Sequence, residues 1–137
     1  MLVADLMSTH IVTVTPEEGL DQIRRLFDRH RFHHLLVIER DRLVGVISDR
    51  DLLRATSPFV DTLSERPQDL ATLRKRAHQI MTREPVVASR NDSVPQAAAA
   101  MLRHRVSCLP VVALDGRVEG ILSSRDLMRA LVADIEG

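Results

Sequence analysis

The stretch Gly45-Val46-Ile47-Ser48-Asp49-Arg50-Asp51-Leu52-Leu53-Arg54-Ala55 returns 75 residues later as Gly120-Ile121-Leu122-Ser123-Ser124-Arg125-Asp126-Leu127-Met128-Arg129-Ala130. Upstream the repeat continues at an offset of 74: Asp5-Leu6-Met7-Ser8 meets Gln79-Ile80-Met81-Thr82, and His30-Arg31-Phe32-His33-His34-Leu35 meets His104-Arg105-Val106-Ser107-Cys108-Leu109. The one-residue insertion falls at Asp115-Gly116, a hairpin-turn dipeptide where an extra residue does least harm. The chain therefore divides into a first repeat over residues 1–57, a connector with a helix over 58–76, and a second repeat over 77–137.

Each repeat predicts strand, helix, strand, strand, helix, an α/β (α+β) plan. The first strand is expected at Ile11–Val14 and Val86–Ala88. In the first helix, Leu20, Ile23, Leu26, Phe27 and His30 form one stripe, as do Val94, Ala97, Met101 and His104 in the second repeat. Thr15-Pro16-Glu17-Glu18 and Ser93-Val94-Pro95-Gln96 read as helix starts. The hairpins are expected at Leu35–Ile38 with Val44–Ile47, and at Leu109–Ala113 with Val118–Leu122. Closing helices follow from Arg50 and Arg125. In the connector, Leu70, Leu73, Ala77 and Ile80 share a helical face, with Asp69 as N-cap. One repeat is too small to hide its sheet, whereas two can share a core.

Composition narrows the function. The 137 residues hold 19 Lys+Arg against 19 Asp+Glu, a formal net charge of zero. Zero charge argues against a dedicated nucleic-acid binder or a polybasic membrane anchor. With three Phe and no Trp or Tyr, base-stacking platforms are nearly absent. No apolar run long enough for a membrane helix occurs, the N-terminus lacks a secretory pattern, and the single cysteine, Cys108, excludes an internal disulfide. A cytoplasmic location is expected. No nucleophile elbow, phosphate loop or two-histidine metalloprotease motif occurs, so no enzymatic activity is expected.

The repeated Ser-x-x-Asp sits where a strand hands over to a helix. Backbone N–H groups there attract anions, a hydroxyl can contact phosphate, and a carboxylate can accept hydrogen bonds from a ribose diol. The same spacing is also a capping box that needs no ligand, and duplication copies caps as faithfully as sites.

The plan resembles the cystathionine β-synthase (CBS) domain family. Asp5-Leu6-Met7 and Gln79-Ile80-Met81 carry the resemblance, with Val12-Thr13-Val14-Thr15-Pro16, Leu109-Pro110-Val111-Val112 and the Gly-apolar-apolar-Ser-x-Arg-Asp segment of each repeat. It covers residues 2–57 and 77–134 and implies a stand-alone CBS pair, a Bateman module, whose tandem repeats pack with pseudo-two-fold symmetry around two clefts. It further implies a regulatory sensor of adenosine-containing ligands, AMP, ADP, ATP or S-adenosylmethionine, with no cofactor, a homodimeric state and an unknown downstream protein. Carried over by position, one cleft would use Ile11, Val12, Thr13, His33, His34, Ser48, Arg50 and Asp51. The other would use Pro85, Val86, Val87, Ser107, Cys108, Ser123, Arg125 and Asp126. Leu36 stands where the second repeat has the family's Pro110, and the second repeat lacks the two histidines. The clefts are therefore expected to differ, with His33 and His34 favouring phosphate as imidazolium. Two alternatives remain: an interaction or oligomerisation module without nucleotide, and a metal or redox sensor through His30, His33, His34 and Cys108.

Overall fold

The computed structural model describes residues 1–136. In chain order they form α1 (Val3–Leu6), β1 (Thr13–Val14), α2 (Leu20–Arg29), β2 (His34–Glu39), β3 (Arg42–Ser48), α3 (Asp49–Ala55), α4 (Pro67–Ala71), α5 (Ala77–Ile80), β4 (Thr82–Arg83), α6 (Val94–His104), β5 (Cys108–Val112), β6 (Val118–Ser123) and α7 (Ser124–Glu136). The mixed α/β plan and the duplicated strand–strand–helix ends are as the sequence predicts.

The packing units do not follow the sequence repeats. One compact unit gathers Met1–Ile11, the turn residues Asp41–Leu43 and the chain from Pro85 on; the other gathers Val12–Arg40 and Val44–Glu84. The short helix that opens each repeat thus packs with the opposite repeat. Val3 of α1 is wholly buried in a core with Ala88, Ala97, Met101, Leu109, Val111 and Leu122. Ala77, its repeat equivalent in α5, is wholly buried with Val14, Ile23, Leu35, Val37 and Ile47.

Within the second unit one sheet runs β1-β2-β3-β4, with β1 parallel to β2 and β4 antiparallel to β3. The first unit repeats this order in reduced form. Hairpin β5–β6 is flanked by a parallel bridge from Ala88 to Val111 and an antiparallel bridge from Ser8 to Ile121. The expected strand Val86–Ala88 thus shrinks to one bridge. The cause is Pro110. In the second unit Leu36 N–H donates to the Val12 carbonyl at 3.2 Å. Pro110, at the equivalent position, has no N–H to give. Ala88 N–H still donates to the Pro110 carbonyl at 2.9 Å and Val112 N–H to the Ala88 carbonyl at 3.0 Å, which leaves the single bridge.

Two other local expectations fail for a common reason. Gly19 and Arg76 form a β-bridge, with Leu20 N–H donating to the Lys75 carbonyl at 2.7 Å and Ala77 N–H to the Glu18 carbonyl at 2.8 Å. That tie holds both segments extended. Thr15–Glu18 accordingly forms a turn and α2 starts after Gly19, without a side-chain cap. The connector is likewise not one helix: α4 gives way to a 3-10 turn at Thr72–Arg74, extended Lys75 and Arg76, then α5. Asp69 is the third residue of α4 rather than its cap, and its Oδ2 accepts the Arg66 N–H at 2.8 Å. Its Oδ1 accepts the Ser57 hydroxyl at 2.8 Å. The bond from Ser57, joined by those from Arg66, holds this carboxyl below the ordinary carboxylate range. The expected capping box at Ser93 and Gln96 is present.

Candidate functional site

Three chain segments meet at one edge of the second unit's sheet. Val12 and Thr13 enter β1 there, His33 and His34 enter β2, and β3 ends there at Ser48 before α3. Asp49 N–H donates to the His33 carbonyl at 3.0 Å, and the equivalent Ser124 N–H donates to the Ser107 carbonyl at 2.8 Å in the first unit. Both helix starts are thus stitched to the residue that opens the central hairpin.

Both Ser-x-x-Asp segments are closed capping boxes. Ser48 N–H donates to Asp51 Oδ2 at 2.8 Å and Asp51 N–H to Ser48 Oγ at 3.1 Å. The corresponding bonds at Ser123 and Asp126 are 2.9 and 3.1 Å. The Asp49 and Asp51 amides at the start of α3 are therefore taken by protein acceptors. What Asp51 leaves outward is its second oxygen, which has no protein partner among the described residues. Asp126 differs: its Oδ1 lies 3.5 Å from Arg129 Nη1.

The two histidines lie in different surroundings. His33 Nδ1 lies 2.9 Å from Asp49 Oδ2. Partial burial pushes the Asp49 carboxyl up, but the hydrogen bond and charge of His33, with the Arg50 amide, hold it below the ordinary range. Burial lowers His34 from the usual imidazole value of 6.5, and this outweighs the upward pull of Asp49 and Asp51. Because folding depresses this pKa, the unfolded chain takes up the proton first. Stability should therefore be flat above about pH 7 and fall as pH drops below about 6.5. Chemical denaturation at pH 7.5 and 5.5 measures this, and His34→Gln should flatten the difference; an unchanged pH dependence in the variant would refute the assignment.

A cleft of about 430 Å³ adjoins Asp51, lined by Asp51, Arg54, Ala55, Lys75, Gln79 and Ile80. Of these, the sequence pattern pointed only to Asp51. Lys75 carried one unused signal, as the sole lysine in the chain. Its Nζ donates to the Ala55 carbonyl at 2.9 Å and closes the end of α3. Gln79 and Ile80 belong to the repeated motif before each first strand, and the exchange of that motif between units is what brings them here.

Of the remaining candidates, Ile11 closes the N-terminal segment of the first unit, so it is grouped apart from Val12 and Thr13. Pro85, Val86, Val87, Ser107, Cys108, Ser123, Arg125 and Asp126 all fall in the first unit. Arg50 and Arg125 are exposed. Cys108 is buried, which pushes its thiol up to about 12 and leaves almost no thiolate for redox sensing at neutral pH. His104 is exposed rather than on the buried stripe, because α6 ends there and Arg105 turns left-handed at φ 56°. His30 is half-buried with its ring against Phe32 at 5.4 Å. Among the described residues, no group of three or more His, Cys, Asp or Glu is placed to hold a metal ion.

This duplicated arrangement matches the pattern of the CBS domain at residues 3–57 and 77–133. The chain belongs to the CBS domain family. It is 33% identical over 99% of its length to a CBS domain-containing protein of Dictyostelium discoideum, covering 94% of that protein. The CBS domain pair of protein MJ0100, solved with 5′-methylthioadenosine and S-adenosyl-L-methionine, superposes with a TM-score of 0.81 at 27% identity, covering 98% of both chains. The CBS protein CBSX2, solved with AMP, gives a TM-score of 0.80 at 30% identity over 99% of this chain and 98% of that one. Among the described residues no helix of this CBS pair is long and apolar enough to cross a membrane.

Proposed function

We propose that this CBS pair is a cytoplasmic regulatory sensor that binds an adenosine-containing compound, AMP, ADP, ATP or S-adenosylmethionine, and acts by binding rather than catalysis. The observation that carries the proposal is the cleft beside Asp51. It is large enough for a nucleoside, and the outward oxygen of Asp51 suits a ribose diol. The similar structures solved with AMP, methylthioadenosine and S-adenosylmethionine support that ligand class. Binding to one arrangement of the chain over another would shift a population and pass the signal on.

Thermal-shift screening and calorimetry with adenosine compounds test this, since a ligand selective for the folded state raises Tm by mass action. Asp51→Asn keeps an oxygen for the Ser48 amide but removes the charge. It should cost about 1.5–3 kcal/mol of binding, a charge-assisted hydrogen bond. No thermal shift with any adenosine compound would leave the interaction-module alternative standing.

The same proposal includes a homodimer. Met128, Leu131, Val132 and Ile135 lie at i, i+3, i+4 and i+7 along α7 and are 63%, 60%, 51% and 77% exposed. Such a stripe suits helix packing against a second copy, and zero net charge removes repulsion between copies. Sedimentation should show a dimer that Leu131→Glu weakens by about tenfold or more; a wild-type monomer at high protein concentration would refute it.

A further inference from the structure

The two repeats place different side chains at the positions equivalent to those that line the cleft beside Asp51, and this difference bears on which ligand that cleft takes. Arg54 in α3 and Arg129 in α7 are equivalent. Arg129 folds back to 3.5 Å from Asp126, whereas Arg54 has no protein partner among the described residues and lines the cleft beside Asp51. Lys75, which also lines that cleft, corresponds to Met1, whose side chain carries no charge. Gln79 corresponds to Asp5. Both fill the same structural place: Gln79 Oε1 accepts the Arg76 N–H at 2.8 Å and Asp5 Oδ2 accepts the Leu2 N–H at 2.7 Å. α1 packs on α7 as α5 packs on α3.

The second unit's cleft therefore has two cations against one carboxylate. That carboxylate already holds the Ser48 amide. Lys75 gives one of its three N–H donors to the Ala55 carbonyl and keeps two for a ligand. At the equivalent positions of the first unit, Arg129 is paired with Asp126, and Asp5 stands in place of Gln79.

We infer that Arg54 and Lys75 form the phosphate subsite of the second unit's cleft, so that this cleft selects phosphorylated adenosine over adenosine itself. This rests on the proposal that adenosine binds beside Asp51. It places the phosphate contacts at the far end of α3 and at Lys75, two residues ahead of α5.

Calorimetric titration of the full chain with AMP, adenosine and S-adenosylmethionine tests it. AMP should bind one site more tightly than adenosine, with a preference that shrinks as salt is raised. Lys75→Met and Gln79→Asp, which copy the first unit's residues, should each weaken AMP about tenfold while adenosine changes less than about twofold. Arg54→Ala, at an exposed position without a partner, should do the same and guards against misfolding of the Lys75 variant. If AMP and adenosine bind but their ratio is unchanged in Lys75→Met and Arg54→Ala, the phosphate subsite is refuted while the adenosine site stands. If neither binds, both fall.

Discussion

A chain starting at residue 12 is expected to lose the folded state of the unit built on the second repeat, although residues 77–137 contain that repeat entire. Val3 is wholly buried with Leu109, Val111 and Leu122. Its removal exposes that core and forfeits about 1.5–3 kcal/mol of burial. Val3 and Ala4 N–H groups donate to the Asp92 and Arg90 carbonyls at 2.8 and 3.0 Å, and Val94 N–H donates to the Met1 carbonyl at 3.0 Å. Ser8 and Ile121 exchange two further backbone bonds of 2.9 Å. At about 1 kcal/mol each, and more where a buried partner is left unsatisfied, these bonds and the lost burial reach the low end of a whole domain's stability of about 5–15 kcal/mol. Thermal unfolding followed by circular dichroism should show lost or broadened cooperativity in the truncated chain, restored in part by adding a peptide of residues 1–11. A truncated chain melting within about 3 °C of the full one would contradict the exchange of segments.

Gly120→Val is expected to destabilise more than the same change at Gly45, although the two glycines are repeat equivalents and both are buried. A Cβ on Gly120 would lie 2.6 Å from the Ser8 carbonyl oxygen, which is pinned by the Ile121 N–H. Backbone must move, and the paired Ser8–Ile121 bonds move with it. A Cβ on Gly45 meets the side chain of Met81, an unbranched thioether that can rotate aside. Overpacking of this kind costs about 1–3 kcal/mol, with Gly120→Val at or above the upper figure and Gly45→Val near the lower. Denaturant midpoints measure both. Met81→Ala should relieve Gly45→Val, whereas Met7→Ala should leave Gly120→Val largely unrelieved, because the obstacle there is backbone. Equal costs at the two glycines would refute this account.

The candidate site was legible where it is local. Ser48 with Asp51, and Ser123 with Asp126, declare a helix start by residue type and spacing, and both boxes are closed as that chemistry requires. The other wall of the cleft was not legible. Lys75, Gln79 and Ile80 are some twenty-five residues beyond Asp51, and nothing in their spacing says which helix they face. The surroundings of the histidines were not legible for a related reason. Three imidazoles in five residues suggest a cationic cluster, but burial of His34 and the carboxylate of Asp49 against His33 are properties of the folded neighbourhood.

The sequence by itself determined the duplication, the hairpins, the capped helices after them and membership of the CBS family. Each of these rests on patterns a few residues long, with a period of two or three to four, or on a repeat offset that counting reveals. Only the tertiary structure decided that α1 and α5 pack with the opposite repeat, that Gly19–Arg76 breaks the connector helix, and that Arg54 stands open while Arg129 folds onto Asp126. Helix propensity is worth only tenths of a kcal/mol per residue. A long-range backbone tie, such as the bonds of Lys75 and Ala77 to Leu20 and Glu18, or the burial of one Val3, outweighs it, and such contacts exist only once distant segments meet.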